Sequence, residues 1–187
     1  LAEFVNSLEG NNIFDIYAVI NLASRSKRGL NLDSNLEELI DQYRNVVGPT
    51  WNLITSLRKF LKPGSSIINV GSLWGIRSPN INTYLDLENE PAMGLPPAKS
   101  ALMNLSQYLA TLLAVDDIRV NCVVPGWFPA NRGTPRPDYI KNITSKIPMN
   151  RIGSGAELIT TFEYLLNPNT SYTTGQSIVV DGGYTLW

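Results

Sequence analysis

The stretch Asp117-Ile-Arg-Val-Asn-Cys-Val-Val124 decides the fold, because it ends in the largely apolar run 120–124 and leads directly into the turn Pro125-Gly126. An apolar run of this length that ends in turn residues is typical of a strand buried in a parallel sheet. Cys122, the only cysteine of the chain, lies within the run. It is predicted to be a core residue, since free cysteine is among the most buried residue types.

Three further segments have the same character and are predicted as strands, namely residues 16–22, 66–70 and 177–181. Segments with helical patterns separate them, and this alternation predicts an α/β fold with a parallel sheet. Crossovers between parallel strands are right-handed almost without exception. Helices are therefore expected on both faces of the sheet, which gives three layers.

Start signals predict where the main helices begin. Ser34-Asn-Leu-Glu37 has the spacing of a capping box, and the helix that follows is expected to kink near Gly48-Pro49. Its apolar face would consist of Leu36, Ile40, Tyr43 and Val47. Pro96-Pro97 opens a second helix, because proline suits a first turn. The apolar face of that helix would consist of Ala98, Ala101, Leu102, Leu105, Leu109 and Leu112. Shorter helices are predicted around 137–146 and 155–166, and Lys62-Pro-Gly-Ser65 is predicted as a turn.

Composition excludes several classes of function. The 187 residues carry 15 basic and 16 acidic side chains, and a net charge of −1 argues against a nucleic-acid or anionic-membrane surface. The chain has no histidine and one cysteine, so a Ser-His-Asp triad, a histidine-ligated metal, a cysteine-rich zinc site and a disulfide are all excluded. No apolar run approaches the roughly 20 residues of a membrane span, and a cytoplasmic location is expected.

The chain begins at Leu1, and its first residues resemble the middle of a helix. We interpret residues 1–187 as a single partial domain of a longer protein. The strand at residues 16–22 would then lack a neighbour on one side. An exposed apolar edge that is prone to aggregation is expected there.

Ligands of open parallel sheets bind outside the carboxyl ends of the strands. That rule selects four segments, which are Asn21-Leu-Ala-Ser24, Gly71-Ser-Leu-Trp-Gly75, Pro125-Gly-Trp-Phe128 and Asp181-Gly-Gly183. Each segment is rich in small or turn-forming residues, which permits close approach of a ligand to the backbone.

Together these segments resemble the short-chain dehydrogenase/reductase family, in the correct order along the chain. The most specific are Ile118-Arg-Val-Asn-Cys-Val-Val-Pro-Gly126 and Thr174-Gly-Gln-Ser-Ile-Val-Val-Asp-Gly-Gly183. The others are Ile20-Asn-Leu-Ala-Ser24, Ser65-Ser-Ile-Ile-Asn-Val-Gly-Ser72 and Ala98-Lys-Ser-Ala-Leu102, with Asn45 in the position of the family's helix asparagine. The insert after Ser72 is similar to that of the branch acting on surface sugars and flagellin glycans.

The resemblance implies a doubly wound Rossmann-type parallel sheet that lacks its first strands and glycine-rich loop. It also implies an NAD or NADP cofactor and a small carbonyl or alcohol substrate. In the family a lysine holds the nicotinamide ribose and lowers the pKa of a catalytic tyrosine by stabilising the phenolate. Lys99 would be that lysine, Ser72 would bind the substrate oxygen, and Asn45 would position Lys99 through water.

The remaining cofactor contacts that the resemblance implies lie at two strand ends. They are Asn21, Ala23, Ser24, Pro125, Gly126 and Trp127. Trp127 and Phe128 either wall the substrate pocket or belong to the core, and Asp181-Gly-Gly183 is expected to be a structural turn near a subunit contact. The family assembles as dimers or tetramers through the helix at residues 98–114 and the last strand. Trp187 would pack there against a neighbour.

Two departures from the family pattern bear on activity. Leu95 stands four residues before Lys99, where the family has its tyrosine, and none of the 14 glycines forms the pyrophosphate-binding pattern. Tyr84, in the loop after Ser72, is either a substitute proton donor or a packed surface residue. Leu22 and Ser24 replace an asparagine and a glycine and would crowd the cofactor.

Two functions therefore stay open. One is an NAD(P)-dependent oxidoreductase acting on a carbonyl or secondary alcohol, with a sugar as a candidate substrate. The alternative is a non-catalytic relative that serves as a binding or assembly subunit. Each site residue also has a structural interpretation: Ser72 as a cap, Lys99 as a solvated charge and Asn45 as an exposed helix residue.

Overall fold

The fold is built on a parallel sheet of four strands, β1 (Ile16–Asn21), β2 (Leu61–Val70), β3 (Arg119–Pro125) and β4 (Ser177–Val180). The strands lie side by side in chain order, and every neighbouring pair is parallel. This computed structural model describes residues 1–23, 34–80, 94–129 and 137–186. The predicted α/β architecture is confirmed.

Helices cover both faces of the sheet, as expected. They are α1 (Ala2–Gly10), α2 (Leu36–Val46), α3 (Gly48–Leu57), α4 (Leu95–Leu113), α5 (Pro137–Thr144) and α6 (Gly155–Leu166). Ile67 of β2 packs on one face against Leu109 of α4, whereas its neighbour Ile68 packs on the other face against Leu165 of α6. Successive strand residues point to opposite faces, so the two clusters form the interfaces of a three-layer structure.

The start of α2 differs by one residue from the prediction. Asn35 is the cap, and its Oδ1 accepts a hydrogen bond from the Glu38 backbone N–H at 3.0 Å. The Glu38 carboxylate accepts in turn from the Asn35 backbone N–H at 3.0 Å. Asparagine is as good a cap as serine. The capping box therefore forms on Asn35 and Glu38, not on Ser34 and Glu37.

The predicted apolar face of α2 is wrong in part. Val47 packs on the core as predicted, but Leu36 is 67% exposed, whereas Gln42 and Val46 are fully buried. Val46 packs against Ala98 and Leu102 of α4, and this contact sets the rotation of the helix. The predicted kink is confirmed, because α2 ends at Val46 and α3 begins at Gly48.

Residues 62–65, predicted as a turn, lie inside β2. Gly64 adopts a φ of +85°, and its N–H donates to the Asp117 carbonyl at 2.8 Å. The register between β1 and β2 shifts between Ile16 and Ala18, opposite this segment. The Pro-Gly signal thus marks a bulge within a strand.

The face of α4 is broader than the apolar pattern suggests. Lys99 and Ser106 are buried together with Ala98, Leu102, Leu109, Ala110 and Leu113. Leu112, which was predicted on the buried face, is 45% exposed. Because two polar residues are buried on it, this helix makes hydrogen bonds to the sheet in addition to apolar contacts.

The edge of the sheet at β1 is apolar and open. Among the described residues β1 pairs with β2 alone, and Tyr17 and Ile20 expose 62% and 42% of their surface. β1 therefore exposes apolar side chains in the described part of the chain, and aggregation at this edge stays a prediction. Cys122 of β3, the strand on the other side of β2, is fully buried, as predicted.

Candidate active site

The carboxyl ends of β2, β3 and β4 meet at one edge of the sheet. The first residue after β2, Gly71, donates its N–H to the Val123 carbonyl at 2.8 Å. The first residue after β3, Gly126, donates to the Val180 carbonyl at 2.8 Å. Each loop therefore starts from a position fixed by the neighbouring strand. The segments predicted to form the ligand-binding edge thus lie side by side.

Lys99 lies at this edge with only 6% of its surface exposed. Its Nζ donates to the carbonyl oxygen of Val70, the last residue of β2, at 2.9 Å. Burial lowers the pKa of the Lys99 ammonium. Within the described residues no carboxylate pairs with it. Because the side chain is buried, the interpretation of Lys99 as a solvated charge is wrong.

A tight turn places Lys99 beside Ser72. Residues Leu73–Gly75 form a single 3₁₀ turn, and Gly75 packs directly on α4. A Cβ added to Gly75 would lie 3.1 Å from the Lys99 backbone carbonyl carbon and 2.6 Å from the Met103 sulfur, so a larger residue would force this contact to shift. The Ser100 hydroxyl donates to the Gly75 carbonyl at 2.7 Å and so joins the turn to α4 at the same place.

Ser72 caps that turn. Its Oγ accepts a hydrogen bond from the Trp74 backbone N–H at 3.2 Å, and the residue is half-buried. A serine hydroxyl also carries one hydrogen, which capping leaves available for donation. The structural role of Ser72 as a cap is present, and it is compatible with donation to a substrate oxygen.

The layer beneath Lys99 is apolar and chemically inert. The Cys122 sulfur lies only 2.9 Å from where a Cβ on Gly71 would stand, so a larger residue there would push the core side chains apart. Burial raises the pKa of the Cys122 thiol to about 11. The thiolate is the nucleophilic form of cysteine, so Cys122 serves as a packing residue.

Asn45 lies in the last turn of α2 and is half-buried. Its side chain makes no hydrogen bond with another described residue. The next residue, Val46, contacts Ala98, which precedes Lys99. The structure thus brings α2 and the start of α4 together, while the role of Asn45 stays a prediction.

Asn21 is committed to a buried polar network. Its Nδ2 donates to the Thr50 hydroxyl at 2.6 Å and to Asn69 Oδ1 at 3.2 Å. Asn69 Nδ2 donates to the Ser106 hydroxyl at 2.9 Å, so the network joins β1, α3, β2 and α4. Asn21 Oδ1 accepts from the Ala23 backbone N–H at 3.1 Å. No cofactor contact is needed to satisfy this amide.

This network as a unit was not predicted from the sequence. Its signal was present, since Asn21 and Asn69 each stand at the end of an apolar run, and they are partners in the β1–β2 register. Two polar residues at matching positions of adjacent buried strands predict a cross-strand hydrogen bond.

An aromatic cluster fills the space above the strand ends. It consists of Trp74, Trp127, Tyr139 and Tyr184. The rings of Trp74 and Trp127 meet edge to face with centroids 5.8 Å apart. Leu95 packs against this cluster, and on its other side against the Val46 cluster of α2 and α4. At the position of the missing tyrosine the protein therefore has an apolar contact.

Trp127 belongs to the aromatic cluster, and its neighbour Phe128 lines a cavity of about 300 Å³. A Cβ on Gly153 would lie 2.4 Å from the Phe128 ring, which fixes the ring in place. At the same cavity Arg151 donates to Glu157 at 2.9 Å, and this ion pair lowers the pKa of Glu157 to about 2.

The predicted structural turn at Asp181 is confirmed. The Asp181 carboxylate accepts from the backbone N–H groups of Gly183 and Thr185, both at 2.8 Å. Gly182 and Gly183 have φ of +65° and +90°, a region that favours glycine. Both carboxylate oxygens are thereby used in holding the chain after β4.

Three residues of interest, Tyr84, Ser24 and Trp187, lie outside the described residues. Over the described ranges, no group of acidic, histidine or cysteine side chains could hold a metal ion. No helix in those ranges is long and apolar enough to cross a membrane.

The described residues fit the nicotinamide-ribose end of a dinucleotide. An ammonium has three N–H donors, and Lys99 uses one of them on Val70. A buried cation with no acidic partner in the described chain is costly to retain, and ribose hydroxyls would accept its other two hydrogens. Pro125 and Gly126 follow the neighbouring strand at the same edge.

Comparison with known proteins identifies the family. The profile described as enoyl-(acyl carrier protein) reductase matches residues 14–185. The 3-oxoacyl-(acyl-carrier-protein) reductase FabG of Chlamydia trachomatis is 28% identical over 186 residues, which are 97% of this chain and 70% of that protein.

Solved structures agree. A short-chain dehydrogenase from Leptospira borgpetersenii with bound NAD⁺ matches with a TM-score of 0.82 at 27% identity, over 98% of this chain and 70% of that one. The RhlG/NADP active-site complex of Pseudomonas aeruginosa matches with a TM-score of 0.83 at 26% identity, over 97% of this chain and 71% of that one. The chain therefore belongs to the short-chain dehydrogenase/reductase family of NAD(P)-dependent oxidoreductases.

Proposed function

We propose that this protein uses NAD or NADP to interconvert a carbonyl and a secondary alcohol, with a sugar as the substrate. The observation that carries the proposal is the buried ammonium of Lys99, held on the Val70 carbonyl at the carboxyl edge of the sheet. It is a cation with two free donors in the position that the family uses to hold the nicotinamide ribose.

Each residue then has a defined role. Lys99 binds the ribose hydroxyls, and the Ser72 hydroxyl donates to the substrate oxygen and orients it. Asn45 positions Lys99 through water, and Pro125, Gly126 and Trp127 border the nicotinamide. The bound cofactor supplies or accepts the hydride. Further along the cofactor, the backbone at Asn21 and Ala23 and the side chain of Ser24 are proposed contacts.

The proton donor is the unusual part of this proposal. Leucine cannot donate or accept a proton, so Leu95 leaves the reaction without the family's acid. Loss of a general acid typically costs about 10²–10⁴-fold in rate. We place Tyr84 in this role, because it follows Ser72 by 12 residues in the loop that leaves the same strand end.

The test is a fluorescence titration of the protein with NADH and NADPH, followed by turnover assays on a panel of sugar ketones. Saturable binding of one nucleotide, with turnover that disappears in Tyr84→Phe, is expected. A matched Tyr172→Phe variant, at a fully exposed position, should leave turnover unchanged. Absence of nucleotide binding would overturn the proposal.

The packing of Leu95 favours a second candidate, a non-catalytic subunit that assembles with active relatives in the cytoplasm. Leu95 lies between two apolar clusters and contributes to packing alone. Tyr108 and Leu112 are 57% and 45% exposed on the outer face of α4. This face supports a homodimer or homotetramer under either candidate. Nucleotide binding without turnover on any ketone, together with a stable oligomer, would favour the subunit.

A further inference from the structure

The chain after β4 contacts the turn that carries Ser72. Residues 181–186 follow β4 and end in a 3₁₀ turn, Tyr184–Leu186. Tyr184 is only 8% exposed, and its ring meets that of Trp74 edge to face with centroids 6.0 Å apart. Trp74 belongs to the 3₁₀ turn that Ser72 caps. The segment after β4 therefore packs against the loop of the proposed substrate-binding serine.

Arg77 makes a second contact between the same two segments. Its Nε and Nη2 both donate to the Thr185 carbonyl oxygen, at 3.1 and 3.0 Å. Its backbone N–H donates to the Leu73 carbonyl at 2.9 Å and so extends the turn that begins at Ser72. Because the donors of a guanidinium have fixed directions in one plane, two bonds to one oxygen hold this side chain in one orientation. Arg77 is exposed, so we expect these bonds to affect local position more than overall stability.

Asp181 holds the same segment from its other end. Its carboxylate accepts from the Thr185 backbone N–H at 2.8 Å, while Arg77 bonds to the Thr185 carbonyl. Thr185 is thus fixed at both its N–H and its carbonyl. A Cβ on Gly126 would lie 2.6 Å from the Asp181 Cα, so these two backbones are in direct contact. Asp181 therefore joins the segment after β4 to the turn beside the proposed nicotinamide position.

A continuous series of contacts thus runs from Ser72 to Gly126. It passes through Arg77, Thr185 and Asp181, which we call the tail link. We propose that Arg77 is a positioning residue, which acts through the tail link to fix the turn of Ser72 relative to the turn of Gly126. This inference rests on the proposed function, in which Ser72 binds the substrate oxygen and Gly126 borders the nicotinamide.

The relative position of these two turns matters for hydride transfer. Reacting atoms must lie about 3–3.5 Å apart, and a displacement of about 1 Å that originates far from them lowers the rate by about 100-fold. The rings of Trp74 and Trp127 also join the two turns, with centroids 5.8 Å apart. Edge-to-face rings keep their attraction over centroid distances of about 4.5–7 Å, so this contact tolerates movement. The hydrogen bonds of the tail link are directional and allow less movement.

The first experiment measures hydrogen–deuterium exchange of the protein without cofactor. Arg77→Met keeps the apolar stem of the side chain and removes its donors. We expect the backbone amides of residues 71–77 and 125–128 to exchange about 3- to 10-fold faster in this variant, because the hydrogen bonds that restrict both turns are lost. Arg58→Met is the control, since Arg58 is an exposed arginine that bonds to Asp116 at the amino end of the sheet. It should leave exchange in both segments unchanged.

Melting temperatures show that both variants are folded, and each should lie within about 2 °C of the natural protein, because both arginines are exposed. Faster exchange confined to residues 181–186 would overturn the proposal, because the segment after β4 would then move without the two turns. Equal acceleration in Arg77→Met and Arg58→Met would overturn it as well, because the effect would then be that of losing any surface arginine.

The second experiment measures steady-state kinetics on a ketone that the natural protein reduces. Arg77→Met should lower kcat about 10-fold and change KM and the dissociation constant of NADH by less than about 2-fold, because alignment is lost and binding is not. Arg77→Lys keeps a donor for the Thr185 carbonyl and should stay within about 3-fold of the natural kcat. A raised KM at unchanged kcat, or an unchanged kcat in Arg77→Met, would overturn the positioning role.

A double-variant cycle tests whether the contacts act as one link. Asp181→Asn opens the tail link from its other end, because an amide offers one acceptor oxygen where the carboxylate offers two. Combined with Arg77→Met, it should lower kcat no further than the larger of the two single losses. Losses that multiply would overturn the common link. NADH binding is titrated in the natural protein alongside. Its absence would overturn the proposed function, and the exchange experiment would still decide whether the tail link holds the two turns.

Discussion

Leu95 and Lys99 lie one helical turn apart in α4 and differ in their environment. Lys99 is a buried ammonium with a carbonyl partner and no carboxylate partner in the described structure, an arrangement that is costly for stability. Leu95 fills the position of the family's proton donor with an apolar contact between two clusters, which favours stability. The comparison teaches that an apolar contact occupies one position while a buried cation occupies the other, and we propose that this cation binds the cofactor.

The largest effect is expected from restoring the missing acid. In a Tyr84→Phe background, which lacks the proposed substitute donor, Leu95→Tyr should raise turnover on a ketone substrate by about 10²–10⁴-fold, the contribution of a general acid. The measurement is kcat under saturating cofactor. Leu95→Phe in the same background is the matched control, because it adds the ring without the hydroxyl and should leave kcat near that of Tyr84→Phe alone. Equal gains in both variants would mean that ring packing, and not proton donation, changes the rate.

The second effect concerns the retained cation. Lys99→Met should weaken binding of NADH or NADPH by about 100-fold, since two hydrogen bonds from a charged donor are lost. Its melting temperature should not fall, because the cost of burying an ammonium is removed. A fall of more than a few degrees would show that Lys99 is kept for stability.

The difference in stability between Lys99→Met and the natural protein should depend on pH, and its direction follows from the pKa of Lys99. Burial lowers the pKa of folded Lys99 from 10.5, so the unfolded chain binds more protons in the window between the two pKa values. The cost of the buried charge is present at neutral pH and is relieved as pH rises toward 10.5. The gap in stability between Lys99→Met and the natural protein should narrow over that range.

The fold could be predicted because its signals are local. Four apolar runs with helical segments between them determine a parallel α/β sheet, whatever the details of packing. Details that depend on neighbours were missed. The rotation of α2 follows from the contact of Val46 with α4, and the bulge at Gly64 follows from its bond to Asp117.

The candidate site was predictable where one residue type at one spacing carries the signal, as with Lys99 and Leu95, and the catalytic roles of both positions stay predictions. The aromatic cluster was not, because its rings come from residues 74, 127, 139 and 184 and meet only after folding. The network of Asn21 and Asn69 likewise becomes visible only when the register of β1 and β2 is known.

That network gives a smaller, structural prediction. Asn69 is fully buried and bonds to Asn21 and Ser106. Asn69→Ala removes the bonds of both partners to Asn69 and should lower the free energy of unfolding by about 1–3 kcal/mol. Ser78→Ala, at an exposed position, is the control and should stay within about 0.5 kcal/mol. Chemical denaturation measures both, and equal effects would mean that the network contributes little.

The smallest effect is expected at the exposed pair of Arg151 and Glu157, which contrasts with the buried charge of Lys99. Hydrogen bonds from Arg151 and Ser154 lower the pKa of Glu157 from 4.5 to about 2. Stability from this pair is thus fully present above pH 4.5 and is lost as pH falls toward 2. Relative to Glu157→Gln, the natural protein should lose melting temperature over that window, with Glu163→Gln as the control on the same helix. The loss should be slight and should shrink in salt, because solvent screens an exposed pair. A loss that salt does not reduce would mean that Glu157 acts mainly through the capping box it forms with Ser154.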